Sequence, residues 1–176
     1  MRKTPRLDKE KMFIAKHKKL LFEIVTVLLI FLADRASKIY ILRIAEVESV
    51  VDIYVNPYLN FYLIWNKGIA FGLFSFNESL IYNCVSLIIG LIIVAILILI
   101  IKSEDIKKYA FLLVLGGALG NFYDRVYYSA VPDFIDFHIR EIHWFIFNVA
   151  DIFITLGVIF LILLELFDKK DRNEKN

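Results

Sequence analysis

The chain has 176 residues, enough for one domain, and 59% of them are hydrophobic, against roughly 45–50% in soluble domains. With sixteen Phe, nine Tyr and two Trp, this composition excludes an ordinary water-soluble fold. The net charge of +2 carries little information as a total, but the basic residues form patches flanking apolar runs, not a nucleic-acid surface. The lone Cys84 excludes an internal disulfide and lacks the neighbours of a thiolate metal site.

In chain order, a basic segment comes first, with Arg2, Lys3, Arg6, Lys9, Lys11, Lys16, Lys18 and Lys19. It reads as an arm, either disordered or bound to anionic headgroups. A first membrane span is predicted at about 20–42, interrupted by Asp34, Arg35 and Lys38. It is too long for a signal peptide, and no small-x-small cleavage site follows it. An outer segment at about 43–79 comes next. Its runs 50–55 and 59–65, rich in β-branched and aromatic residues, flank the turn signal Asn56-Pro57 and predict a small antiparallel sheet.

The second span, at about 80–101, carries no charge, and Lys102, Lys107 and Lys108 follow it. The third runs over about 109–126. A second outer segment at about 127–146 is bracketed by interfacial aromatics: Tyr127, Tyr128, Trp144 and Phe145. It holds His138 and His143, five apart with no Cys-rich or Glu-rich cluster, which reads as no metal site. The fourth span, at about 147–167, ends in Lys169, Lys170, Arg172 and Lys175. With four spans, every basic patch falls on one side, so both termini are expected in the cytoplasm. The fold class predicted is a single integral membrane domain over 1–176. It has an all-α core of four transmembrane helices and a small extracytoplasmic β-sheet segment.

That topology gathers the polar residues of the spans in one leaflet. Asp34 and Lys38 lie toward the outer end of the first span. Asn121, Asp124 and Arg125 end the third, Asp133 follows in the connecting loop, and Asn148 and Asp151 open the fourth. A carboxylate at the centre of a membrane helix costs about 2.5–3.5 kcal/mol on insertion scales, so several together need a reason. A polar clamp between helices is one reason, and the Arg125 beside Asp124 suits it. Asn148 also reads as a helix cap, and Gly116 and Gly120 as a small-xxx-small contact. Two carboxylates at a dry interface offer another reason. They cannot both ionise readily, so they hold one proton between them and work as acid and base. Asp133 and Asp151 are the pair chosen, because Asp133 has no basic neighbour within four residues. An ion pathway would need polar groups in both leaflets, and the inner half has only Glu23, Thr26 and Glu165 near its end.

Five blocks carry a resemblance: Asp34-Arg35-Ala36-Ser37-Lys38, Asn66-Lys67-Gly68-Ile69-Ala70-Phe71, Gly116 to Arg125, Pro132-Asp133-Phe134-Ile135 and Phe147-Asn148-Val149-Ala150-Asp151. In order and content they resemble the signature blocks of the signal peptidase II family, the lipoprotein signal peptidases. The resemblance implies an aspartic endopeptidase of the bacterial cytoplasmic membrane with its active site near the extracytoplasmic face. Its substrates would be diacylglyceryl-modified prolipoproteins, cut just before the lipidated cysteine, with membrane lipid and a globomycin-type inhibitor as further partners. It implies no cofactor and no metal. Asp133 and Asp151 would be catalytic, and Asp34, Lys38, Asn66, Gly68, Asn121, Asp124, Arg125 and Asn148 would support the pair or bind substrate. Pro132 and Phe145 depart from the family pattern, which usually has an aliphatic residue and often a proline at these places.

Overall fold

A computed structural model describes residues 5–48, 50–68, 79–103, 105–140 and 142–173. Residues 69–71 of the Asn66 block, with Arg2, Lys3 and Lys175 of the basic patches, lie outside the described residues. Four helices are described: α1 (Pro5–Glu48), α2 (Ser79–Lys102), α3 (Lys107–Tyr128) and α4 (Val149–Asn173). Four strands are β1 (Asp52–Asn56), β2 (Leu59–Asn66), β3 (Val131–Ile139) and β4 (Ile142–Phe147). They form one antiparallel sheet in the order β1-β2-β3-β4.

Helix α3 is the hub, packed against each of the other three helices. Its glycines permit this. A β-carbon at Gly116 would press on Ile30 of α1, and one at Gly117 on the Ala150 carbonyl of α4. The small-xxx-small reading therefore holds, with a third glycine added. The α2–α3 contact is a conventional apolar core of Ile93, Ile96, Ile100, Leu112 and Leu115. A second cluster of Ile41, Val51 and Phe134 seats the sheet on the end of α1. Large apolar side chains such as Leu29, Leu91, Ile101 and Leu163 point outward, exposed. Such a surface suits lipid rather than water. Segments Tyr82–Lys102 and Val149–Asp168 are each long and apolar enough to cross a membrane. The segments of α1 and α3 are interrupted by the charges that form the site below.

Three expectations need correction. Of the two readings of the basic N-terminal segment, disorder is overturned from Pro5 onward, because α1 runs unbroken for 44 residues, about 66 Å. It also extends past the predicted end of the first span, to Glu48. The segment expected as a loop at 127–146 is instead a hairpin that completes the sheet, so Asp133 sits on β3. Ser129, at φ 56° in the left-handed region, ends α3 and swings the chain into β3 within two residues. The strands predicted at 50–55 and 59–65 correspond to β1 and β2.

Candidate active site

The first turn of α4 is built by reciprocal capping. Asn148 Oδ1 accepts the Asp151 N–H at 3.1 Å, and Asp151 Oδ2 accepts the Asn148 N–H at 3.1 Å. This satisfies two amides a helix start leaves free. Asp34, from the distant α1, accepts the Ala150 N–H at 3.0 Å and so caps the same turn. The Asn148 amide also reaches across to the sheet, where its Nδ2 donates to Asp133 Oδ1 at 2.6 Å. One asparagine thus fixes a carboxylate on β3 and another on α4.

Behind that turn lies a buried charged cluster. Lys38 Nζ donates to Asp34, to Asp124 at 2.7 Å and to Asn121 Oδ1 at 2.8 Å. Arg35 donates to Asp34 at 2.9 Å and to Asp124 Oδ2 at 2.7 Å. Asp34, Lys38 and Asp124 are each 0% exposed. Buried charges survive only when paired and hydrogen-bonded, and two cations facing two carboxylates meet that condition. The cluster also orients chemistry, because Asn121, held by Lys38, turns its Nδ2 to Asp151 Oδ1 at 2.8 Å. Gly120 makes the assembly possible: a β-carbon there would stand 2.5 Å from Asp34 Oδ2.

Asp133 is 1% exposed and is held by amides on both oxygens, with Asn66 Nδ2 at 2.8 Å on the second. Asn66 is itself set by a relay. Arg125 Nη2 donates to the Gly68 carbonyl at 2.7 Å, and the Gly68 N–H donates to Asn66 Oδ1 at 2.9 Å. Burial, then the charge of nearby Asp151, push the Asp133 carboxyl up to about 6, against the pull of the two amides. Asp133 and Asp151 open onto one cavity of about 210 Å³, with Asn66, Asn121, Arg125 and Asn148 on its walls.

The structure therefore brings all ten sequence-chosen residues into one connected assembly. It revises one reason. Asp124 is neutralised by Arg35 and Lys38, not by the adjacent Arg125, which serves Gly68 instead. It also adds Arg35, whose signal was a second cation inside the first span. Pro132 lies buried on β3, paired in register with Trp65 on β2. A proline there withholds a ladder donor one residue before Asp133. Phe145, on β4, lines an apolar cleft of about 270 Å³ with Trp144, Phe147, Ile152 and Leu156, reaching Asp151. Glu23 and Glu165, the acids left at the other end of the bundle, pair with Lys108 and Lys107.

Two amide-braced aspartates on one cavity, inside an apolar helical bundle, suit a membrane enzyme. Comparison with known proteins narrows the class. Residues 26–167 match the family model described as Signal peptidase (SPase) II. A lipoprotein signal peptidase of Pelagibacter ubique (strain HTCC1062) is 60% identical over 154 residues, covering 87% of this chain and 93% of its own length. That of Francisella tularensis subsp. novicida (strain U112) is 38% identical over 150 residues, covering 83% and 92%. A bacterial membrane enzyme solved by the in meso method at 2.3 Å superposes with TM-score 0.72 at 32% identity, covering 88% of this chain and 93% of that one. The chain belongs to the signal peptidase II family.

Proposed function

We propose that Asp133 and Asp151 are the catalytic pair with which this peptidase removes signal peptides from prolipoproteins. The observation that carries the reading is their opening onto one cavity while Asn148 bonds both. Each carboxylate receives two N–H donors and keeps lone pairs to spare. That spare capacity suits a water and one shared proton. The ionised member takes a proton from water as it attacks the scissile carbonyl. The protonated member donates to the carbonyl oxygen, giving a neutral tetrahedral intermediate. On its collapse the first member gives its proton to the departing amine while the second takes one from a hydroxyl of the intermediate, and the pair returns to its starting state. Because the pair is coupled, its proton belongs to both carboxyls and titrates with them as a unit.

The remaining groups position this pair. Asn121 and Asn66 orient one carboxylate each, and the Asp34–Lys38–Asp124 cluster holds Asn121 and the first turn of α4. All four helices are read as crossing the bilayer, with both termini in the cytoplasm of the bacterial inner membrane. The cavity then opens near the extracytoplasmic face. The apolar cleft of Trp144, Phe145, Phe147, Ile152 and Leu156 runs beside Asp151, and it is the place this reading gives to the acyl chains of a diacylglyceryl-cysteine. Cleavage just before that cysteine follows from such a placement, and a globomycin-type inhibitor would compete for the same cavity.

The test is a purified enzyme with a diacylglyceryl-modified prolipoprotein and its unmodified counterpart, in chelator, with products read by mass. Cleavage of the modified substrate alone, immediately before the lipidated cysteine, is expected. Equal cleavage of both substrates, or abolition of turnover by chelator, would overturn the substrate assignment or the metal-free chemistry respectively.

A further inference from the structure

The β3–β4 hairpin holds a second convergent set of side chains that the peptidase chemistry does not use. Asp136 and His138 are two apart on β3, and although the β3–β4 register shifts between them their side chains converge on one face of the sheet. His143 is the cross-strand partner of His138, which puts it on that face too. Asp133 is three residues from Asp136 and faces the other way by strand alternation. One ligand atom from each of Asp136, His138 and His143 lies within 4.8 Å of the others.

Their geometry is more specific than proximity. The Nδ1 atoms of both histidines face the Asp136 carboxylate; His143 Nδ1 is within hydrogen-bond reach of both its oxygens, and the distances to Oδ2 are 2.9 Å from His143 and 3.7 Å from His138. Tetrahedral zinc with bonds of about 2.0–2.1 Å sets its ligand atoms roughly 3.3 Å apart, and the two distances bracket that value. The rings of His138 and His143 stack at 5.0 Å between centroids. His138 Nδ1 is buried without a hydrogen-bond partner among the described residues. Asp136 Oδ2, at 3.7 Å, is beyond hydrogen-bond reach of it, and a buried ring nitrogen without a hydrogen bond is costly. A cation between the three groups relieves that cost.

We propose that Asp136, His138 and His143 form a binding site for a zinc-class divalent cation, apart from the catalytic pair, that cross-links β3 to β4. Two imidazoles and one carboxylate suit borderline metals and disfavour calcium or magnesium, which take oxygen ligands. The half-exposed His143 leaves the fourth position open to water. The bound ion fastens together β3, which carries Asp133, and β4, which runs into Asn148. It stiffens the hairpin, turnover survives its removal, and no step of peptide cleavage passes through it.

The experiment uses the full chain in detergent, purified without a histidine tag and stripped with chelator, then titrated with Zn²⁺ alone against a chromogenic zinc indicator. Wild type should hold one equivalent and gain a higher unfolding temperature with zinc. His143→Ala and His138→Ala should lose both the equivalent and the shift. Co²⁺ in wild type should give the visible absorption of a tetrahedral nitrogen–oxygen site, a readout that needs no variant to fold. Wild type binding no stoichiometric zinc, or His143→Ala keeping its equivalent, overturns the proposal.

Discussion

Asn148 shows how much one side chain carries here: it caps α4, and its amide reaches Asp133 on a different element. Asp133 itself is the residue whose setting is most testable by pH. Its carboxyl is raised to about 6 from an ordinary 3.8, so the folded state favours the protonated form. The stability this contributes is full below the unfolded value near 4 and is lost as pH rises through 6. Asp133→Asn cannot ionise and escapes that loss. Relative to wild type, the variant should gain roughly 3 kcal/mol between pH 4 and pH 7, read by denaturant unfolding in detergent at each pH. A flat difference across that range would contradict the raised carboxyl. Gly120→Ala makes a second residue-scale prediction. The new methyl group must displace Asp34, so stability should fall by about 1–3 kcal/mol and cleavage with it. Equal activity in the alanine variant would show that Asp34 has room to move.

At the scale of elements, one charged cluster joins α1 to α3 and, through Asp34 and Asn121, to α4. Lys38→Ala leaves Asp34 and Asp124 buried with Arg35 as their one remaining cation, and should cost about 3–5 kcal/mol, measured by thermal unfolding. A loss below 1 kcal/mol would mean that water enters the cluster. The helices are legible in the sequence, because apolar runs of that length favour a helix even where a few charges interrupt them. The participants are legible too, since each charge in such a run needs a partner. The pairings are less accessible. Arg125 adjoins Asp124 in the chain, yet adjacent helical residues point in different directions, and Arg35 and Lys38 come from another helix to take its place. The β3–β4 hairpin is hidden for a different reason. Its strand pattern is broken by Pro132 and by charged residues whose partners lie across the sheet.

For the whole molecule, the layout of charge predicts orientation as well as membrane insertion. The only cysteine is Cys84, so Cys84→Ser offers a clean background for labelling. In spheroplasts, a membrane-impermeant maleimide should reach a cysteine placed at Arg140, in the β3–β4 turn. It should reach one at Ser103, between α2 and α3, only after the membrane is opened. The reverse pattern would invert the topology. The apolar exterior and one-sided polar assembly then make a single physical argument: a lipid-suited surface surrounds the bundle, and the charges that lipid would reject hold two carboxylates at one end of it.

The most direct trial of the proposed catalytic pair is a single-turnover cleavage rate on saturating lipidated prolipoprotein, for wild type, Asp133→Asn and Asp151→Asn, beside a substrate-binding measurement. Each variant should bind substrate and unfold cooperatively, yet cut at a rate lower by about 10²–10⁴ or more. A variant that stays folded and cuts within tenfold of wild type would contradict the two-aspartate chemistry.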